Sequence, residues 1–270
     1  MKKKFLALAL AAILVLSFAA FTGCGQKPEE PTTADFKLVV GLDASFPPYG
    51  YTDDDGTIVG FDIDLAKEVC QRNGWEFEAK PIDWDSKDNE LNSGTINCIW
   101  NGFTINGREN DYTWSKPYVD NSQVVVVKAD SGIKALADLA GKTVVTQAGS
   151  SAESAINDEE NKDMADFKAS LKALNTVADY NGAFIELESG AADAVALDVG
   201  VAKYQIESRG ADKFIILDEQ IAAEQYGVGF KLGDTATCEA VQKALDDMKA
   251  DGTLAKIAET WGLTDALVKD

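Results

Sequence analysis

The sequence predicts a layered α/β fold, and three observations carry that prediction. Short apolar and β-branched runs recur along the chain, amphipathic helical stretches separate them, and most of the runs are continuously apolar rather than alternating. Continuous runs are what strands buried on both faces of a parallel sheet require, and repeated strand–helix–strand order stacks helices on sheets. A chain of 270 residues is long enough for one large or two medium domains. It contains no histidine, and 25 Lys plus Arg stand against 45 Asp plus Glu, a net charge of −20. The first fact removes the usual general base, the Ser-His and Cys-His nucleophile pairs and most zinc or copper sites. The second makes nucleic acid a poor partner. An acidic binding protein remains, or an enzyme that relies on carboxylates.

The chain opens on Met1-Lys2-Lys3-Lys4, followed by an apolar stretch from Phe5 to Phe21 broken only by Ser17. This basic, apolar, then small-residue order marks residues 1–23 as a secretory signal, too short to be read as a spanning helix. Cys24 follows Thr22-Gly23 and resembles the lipobox cysteine of bacterial lipoproteins, which is diacylated and becomes the first mature residue; Phe21 stands where Leu is usual. Cleavage there removes three lysines and no acid, taking the net charge from −20 to −23. Residues 24–35 include GQKPEEPTTAD, almost without apolar side chains, and read as a solvated tether. The expectation is an exported protein held at the outer face of the bacterial cell membrane through its N-terminal lipid alone. Cys70, Cys98 and Cys238 remain, an odd number in apolar surroundings, so they are expected as small buried hydrophobes rather than a disulfide framework.

From Lys37 the predicted strands are Leu38–Gly41, Ile96–Trp100, Val124–Lys128, Thr143–Val145, Ala194–Leu197 and Phe214–Leu217, with Trp75–Ala79 alternating as a half-exposed strand. Predicted helices span Asp62–Asn73, with Ile63, Ala66, Val69 and Cys70 on one stripe and Gly74 as C-cap, then 151–157, 183–188, 199–208, 235–249 and 254–261.

Four places carry candidate chemistry. Asp43-Ala44-Ser45-Phe46-Pro47-Pro48-Tyr49 leaves the first strand as a rigid loop, at the sheet edge where ligands of open α/β folds bind; equally, Phe46 and Tyr49 plug a core and Asp43 caps a turn. Arg108 is one of three arginines, with Arg72 and Arg209, in a chain that otherwise uses lysine. Its position just past Asn101-Gly102-Phe103-Thr104 suits bidentate binding of a carboxylate, whereas Arg72 and Arg209 read as solvated surface residues. Gln147-Ala148-Gly149-Ser150-Ser151 leaves a strand and opens a helix, offering backbone donors to an anion or ordinary N-capping by Ser150 or Ser151; the lysine of a phosphate loop is missing. Asp198 ends an apolar strand ahead of a helix, where it reads as an N-cap or as a partner for an ammonium group. A cation, a nest of donors, an acid and an aromatic wall together answer the needs of a zwitterion.

These residues lie in VGLDASFPPYGY, GFDIDLAKEV, NGFTINGR with the following YTWSKPY, LAGKTVVTQAGSS, ADAVALD and ALDDMKADGTLAKIAETWG. In that order, from Lys37 to Trp261, the chain resembles the extracellular solute-binding proteins of polar amino-acid ABC transporters, family 3. The resemblance implies a type II periplasmic-binding-protein fold with two α/β lobes joined by two crossover strands. Lobe one would comprise 36–118 plus 227–270, lobe two 123–221, and the hinge strands 119–122 and 222–226. It also implies roles. Arg108 would bind the ligand α-carboxylate, helped by the backbone at Thr104 and Ser151. Asp198, the Gly102 carbonyl and the Thr104 hydroxyl would hold the α-ammonium. Phe46 would pack on the ligand side chain and Asp43 would bond its polar end, Trp84 and Gln147 would line the specificity pocket, and Ser150 would be a further ligand contact. The spacing from Thr104 to Arg108 is one residue shorter than the common family pattern, so this loop must adjust.

The implied function is capture of a polar or basic L-amino acid between closing lobes and delivery to an ABC permease, by a monomer with no enzymatic activity, cofactor or metal. Two alternatives keep the fold. In a cyclohexadienyl dehydratase-like enzyme, Asp43, Asp83 or Glu224 would act as general acid; the other is an amino-acid-sensing surface receptor, for which no fused signalling module is visible.

Overall fold

In the computed structural model, which describes residues 36–269, apolar strands gather into two mixed sheets. In the first, Lys37–Leu42 lies between Glu76–Pro81 and Cys98–Ile99, parallel to both. Gly229–Lys231 and Tyr112–Trp114 complete it in antiparallel register. The helix Phe61–Asn73 buries Phe61, Ile63, Leu65, Ala66, Val69 and Cys70, one stripe at helical spacing. It ends at Gly74, whose φ of 68° is a left-handed cap conformation, with its N–H donating to the Cys70 and Gln71 carbonyls. The helices Thr235–Asp251 and Thr253–Thr260 pack beside it.

The second sheet runs in the order Ala173–Val177, Thr143–Gln147, Ala194–Asp198, Val119–Lys128, Phe214–Ile216. Its first three strands are parallel. Val119–Lys128, by contrast, is antiparallel to both of its neighbours in that order, which corrects the expectation of a parallel strand from Val124. The apolar run is real, but a strand covered on both faces is apolar whichever way its partners run. Val124 and Val126 enter one core cluster while Val125 and Val127 enter another, so each face of the pleat fills a different layer.

This strand also begins five residues earlier than the apolar run. Its polar first half pairs antiparallel with Ala222–Tyr226, from Val119 opposite Tyr226 to Gln123 opposite Ala222. The chain therefore passes between the two lobes through a pair of strands hydrogen-bonded to each other. A small third sheet, Ser45–Phe46, Gly50–Thr52 and Ile58–Val59, replaces part of the loop expected after the first strand. The helices Lys87–Ser93 and Lys162–Ser170 and the edge strand Ala173–Val177 lie outside the predicted elements. Cys70, Cys98 and Cys238 are buried and free. The signal segment 1–23, Cys24 and the tether to residue 35 lie outside the described residues.

Candidate functional site

The lobes meet around a small, nearly closed pocket. Phe46, Trp84, Gly102, Phe103, Thr104 and Arg108 line it from one side; Gln147, Ser150, Ser151 and Asp198 line it from the other. Every ligand-contact residue expected from the sequence is in this wall except Asp43, which reaches it through Gln147. Larger hollows lie on the outer surface, such as one bordered by the exposed Lys116–Asp246 ion pair, but the buried charges converge here.

The short spacing between Thr104 and Arg108 is absorbed by a tight turn. The Arg108 N–H donates to the Ile105 carbonyl at 2.9 Å, and the Trp114 indole donates to the Arg108 carbonyl at 3.1 Å. The guanidinium then lies over the Phe103 ring, 5.2 Å from its centre, and donates to the carbonyls of Thr104 (3.3 Å) and Gly149 (3.4 Å). Among the described residues no carboxylate comes within ion-pair distance of Arg108. Arg72 and Arg209 lie at the surface, as expected, where the first pairs with Glu68 and Asp251 and the second with Glu188. A second cation, missed in the sequence, accompanies Arg108. Lys87 is 6% exposed, sits at the first position of its helix, lies 5.5 Å from the Trp84 ring centre and, among the described residues, reaches only the Gly149 carbonyl, at 3.5 Å. Burial pulls its ammonium below the usual lysine range, against the pull of Asp88.

Asp198 stands on the opposite wall. It precedes the helix Val199–Arg209, yet its side chain makes no capping bond, which corrects the reading as an N-cap. Instead Oδ1 accepts from Asn121 Nδ2 (2.8 Å), Gln123 Nε2 (2.7 Å) and the Tyr226 hydroxyl. Desolvation, then the charge of Glu224, hold its carboxyl well above the ordinary range. Ser150 does cap its helix, accepting from Glu153 N at 3.1 Å, and leaves Ser151 free to accept from Thr104 Oγ1 (3.2 Å) and Gln123 Nε2 (2.9 Å).

At the far end, Asp43 Oδ1 accepts from Ser45 N (2.8 Å) and Oδ2 from Gln147 Nε2 (2.7 Å), so this acid both caps its own turn and bridges the lobes. Burial pushes it up to about 6 although both bonds pull it down. Phe46 packs near Tyr49 and Tyr180, with ring centres 5.8 and 6.0 Å apart. Gly102 adopts φ +57°, and a Cβ there would come within 2.8 Å of Phe46 and 3.0 Å of Tyr226, so only glycine fits. Its N–H donates to Asp62 Oδ2 (2.6 Å), whose Oδ1 accepts from the Tyr118 hydroxyl (2.8 Å). Asp62, the buried acid of GFDIDLAKEV, carries no distinguishing mark in the sequence, where it reads as one more helix-starting acid; burial pushes it up to about 7. Of the acids considered for acid catalysis, Asp83 is exposed and caps the turn ahead of Lys87, accepting from Asp85 N, while Asp43 and Glu224 are buried.

Residues 38–264 match the model of the bacterial extracellular solute-binding proteins, family 3. The arginine-binding extracellular protein ArtP of Bacillus subtilis (strain 168) is 30% identical over 262 residues, 96% of this chain and 98% of that protein. The L-cystine-binding protein TcyJ of Escherichia coli (strain K12) is 29% identical over 95% of this chain and 92% of that protein. Among solved structures, an ABC uptake transporter substrate-binding protein from Streptococcus pneumoniae with bound histidine superposes with a TM-score of 0.78 at 32% identity, covering 86% of this chain and 95% of that one.

Proposed function

Because the chain belongs to the bacterial extracellular solute-binding proteins of family 3, with their type II two-lobe fold, we propose that it captures one free polar or basic L-amino acid between its lobes and delivers it to an ABC permease, with no bond made or broken. One observation carries this reading. Among the described residues Arg108 lacks an acid partner and Asp198 lacks a basic one, and both face a single small pocket between the lobes. Buried charges are costly unless paired, and an amino-acid zwitterion supplies both missing partners at once. Its α-carboxylate meets Arg108, with Thr104 and Ser151 beside it; its α-ammonium meets Asp198, with Gly102 and Thr104 at the same end. Contacts to both lobes then favour the closed form, because the open form offers only half of them.

The side chain is directed towards Phe46, Trp84, Gln147 and Asp43. An acid and an amide at that end suit an amide, a cationic group or a second ammonium, in keeping with relatives named for arginine and cystine and a neighbour that holds histidine. Residues 36–118 with 227–270 serve as one lobe, 123–221 as the other, and 119–122 with 222–226 as the hinge. Acylated Cys24 anchors the exported protein to the outer face of the membrane, and it works as a monomer. A thermal-shift screen of the twenty L-amino acids with cystine and ornithine tests the reading, since a ligand raises the melting temperature by mass action. Stabilisation by a polar or basic member, and none by its D-enantiomer, is the expected result; a flat response across the panel would sink the assignment.

A further inference from the structure

Asp198 does not stand alone. Glu224, on the second crossover strand and 6% exposed, shares its donors: Glu224 Oε1 accepts from Asn121 Nδ2 (2.6 Å) and Gln123 Nε2 (2.7 Å), the same two amides that reach Asp198 Oδ1. Ser151, in the pocket wall, also lies within 3.4 Å of Glu224 Oε1. Two further atoms of the cluster are acceptors without donors among the described residues. Asn121 Oδ1 and Gln123 Oε1 are buried and unpartnered, and Gln123 is fully buried. All the donors that face the two carboxylates are neutral amides and hydroxyls.

Among the described residues, the groups around the pair supply no positive charge in contact. Tyr226 comes from the same strand as Glu224, Tyr49 from the turn after the first strand and Tyr180 from the helix Tyr180–Ser189; all are neutral phenols raised well above their usual range by burial and by these carboxylates. Asp62, behind Tyr49, adds a further acid, and Arg108 lies across the pocket, bonded to carbonyls. Two carboxylates at hydrogen-bond distance from the same amide groups, buried and without a cation, cannot both be ionised at low cost.

We propose that Glu224 is a second acid of the ammonium subsite, that its buried neighbour Asp198 carries a proton in the empty closed cleft, and that the entering ammonium group of the ligand replaces that proton, which leaves to the buffer. This rests on the amino-acid reading above and extends it. The ammonium brings the positive charge and three donors to a cluster that has surplus acceptors, so capture and deprotonation are one exchange: a proton out, an ammonium in. Nothing else is transferred.

Calorimetric titration of the purified protein with L-arginine near neutral pH, in phosphate and in Tris, tests this, because the buffer-dependent part of the heat counts protons released. The arginine ammonium is already charged there. We expect about one proton released per arginine bound by the wild-type protein and less than about a third of one by Glu224→Gln. A purely structural Glu224 would alter affinity without altering the buffer dependence. Undiminished release in Glu224→Gln, or buffer-independent heat in wild-type protein that binds arginine, overturns the proton exchange and leaves amino-acid capture standing. If arginine, histidine and cystine all fail to bind the wild-type protein, the amino-acid reading falls and this proposal with it.

Discussion

Gln147 Nε2 donates to Asp43 Oδ2 across the cleft at 2.7 Å, and the same amide donates to the Ala178 carbonyl at 3.0 Å. Asn101 in turn holds the Asp43 backbone, its Oδ1 accepting from Asp43 N at 2.9 Å. Asp43 is thus fixed from its own lobe at one oxygen and satisfied from the opposite lobe at the other. A ligand side chain that reaches this end shares Oδ2 with Gln147 or takes its place, and a cationic group does so with more gain than a neutral amide.

Selectivity should therefore rest on Asp43. Asp43→Asn is expected to weaken arginine binding by about tenfold or more, the scale of a lost charge-assisted hydrogen bond, while glutamine affinity shifts by less than about threefold. Paired calorimetric titrations with the two amino acids check this. Equal losses for both would show that Asp43 holds the loop rather than reads the ligand.

Arg108 should matter to every ligand alike. Arg108→Ala strands a buried carboxylate and is expected to weaken binding at least about 100-fold across the panel. Arg108→Lys should recover only part of the loss, since an ammonium cannot offer the two parallel bonds of a guanidinium. Unchanged affinity in the alanine variant, measured by calorimetry, would remove Arg108 from the site.

How much of this is readable in the sequence depends on contrast and on distance along the chain. Arg108 stands out because arginine is rare in this sequence, and the apolar runs around Val40, Val125 and Val195 announce their strands. Lys87 is lost among twenty-two lysines, though a lysine at the start of a helix opposes the helix dipole and is a weak signal of purpose. The polar run Asp120–Gln123 shows no strand signal of its own and is expected as a hinge strand only through the family resemblance; it is a paired strand whose Asn121 and Gln123 face Asp198 and Glu224. Those four side chains come from segments about a hundred residues apart at the extremes, so no local pattern joins them. The same holds for Asp62, whose partner Gly102 lies forty residues on. The helix Lys162–Ser170 follows an acidic, polar stretch, and with only Met164 and Phe167 buried its apolar stripe is too thin to see.

Lys87 offers a test of function against stability. Its ammonium is buried beside Arg108 at a helix start, with only a 3.5 Å contact to Gly149, so Lys87→Met should stabilise the ligand-free protein by about 2–4 °C in melting temperature, the response to roughly 1 kcal/mol in a chain of this size. The same change deletes a donor that joins the lobes, and amino-acid affinity should fall. A lower melting temperature with unchanged affinity would mean that Lys87 is packing alone.

The ligand-free protein should also lose stability as pH rises. Asp43 and Asp62 are held at about 6 and about 7, both by burial, against an ordinary value of 3.8. A carboxyl raised in the folded state binds its proton more tightly there than in the unfolded chain. The unfolded chain therefore gives up its protons first, and stability falls from about pH 4 until the folded groups ionise near pH 7. Each tenfold gain in proton affinity on folding is worth about 1.4 kcal/mol, so the two acids together remove several kcal/mol over that window. Acids displaced the other way, such as Asp251, held at about 2 by its bonds to Thr253 and by Arg72, act only below about pH 4 and leave the window untouched. The melting temperature of the ligand-free protein should accordingly be at least about 5 °C higher at pH 5 than at pH 8. A saturating amino acid should shrink that difference, because its ammonium offsets the cost of ionising Asp198. Scanning calorimetry with and without ligand at the two pH values reads both effects, and a melting temperature that climbs towards pH 8 in the empty protein would mean that Asp43 and Asp62 are ionised and satisfied well below neutrality.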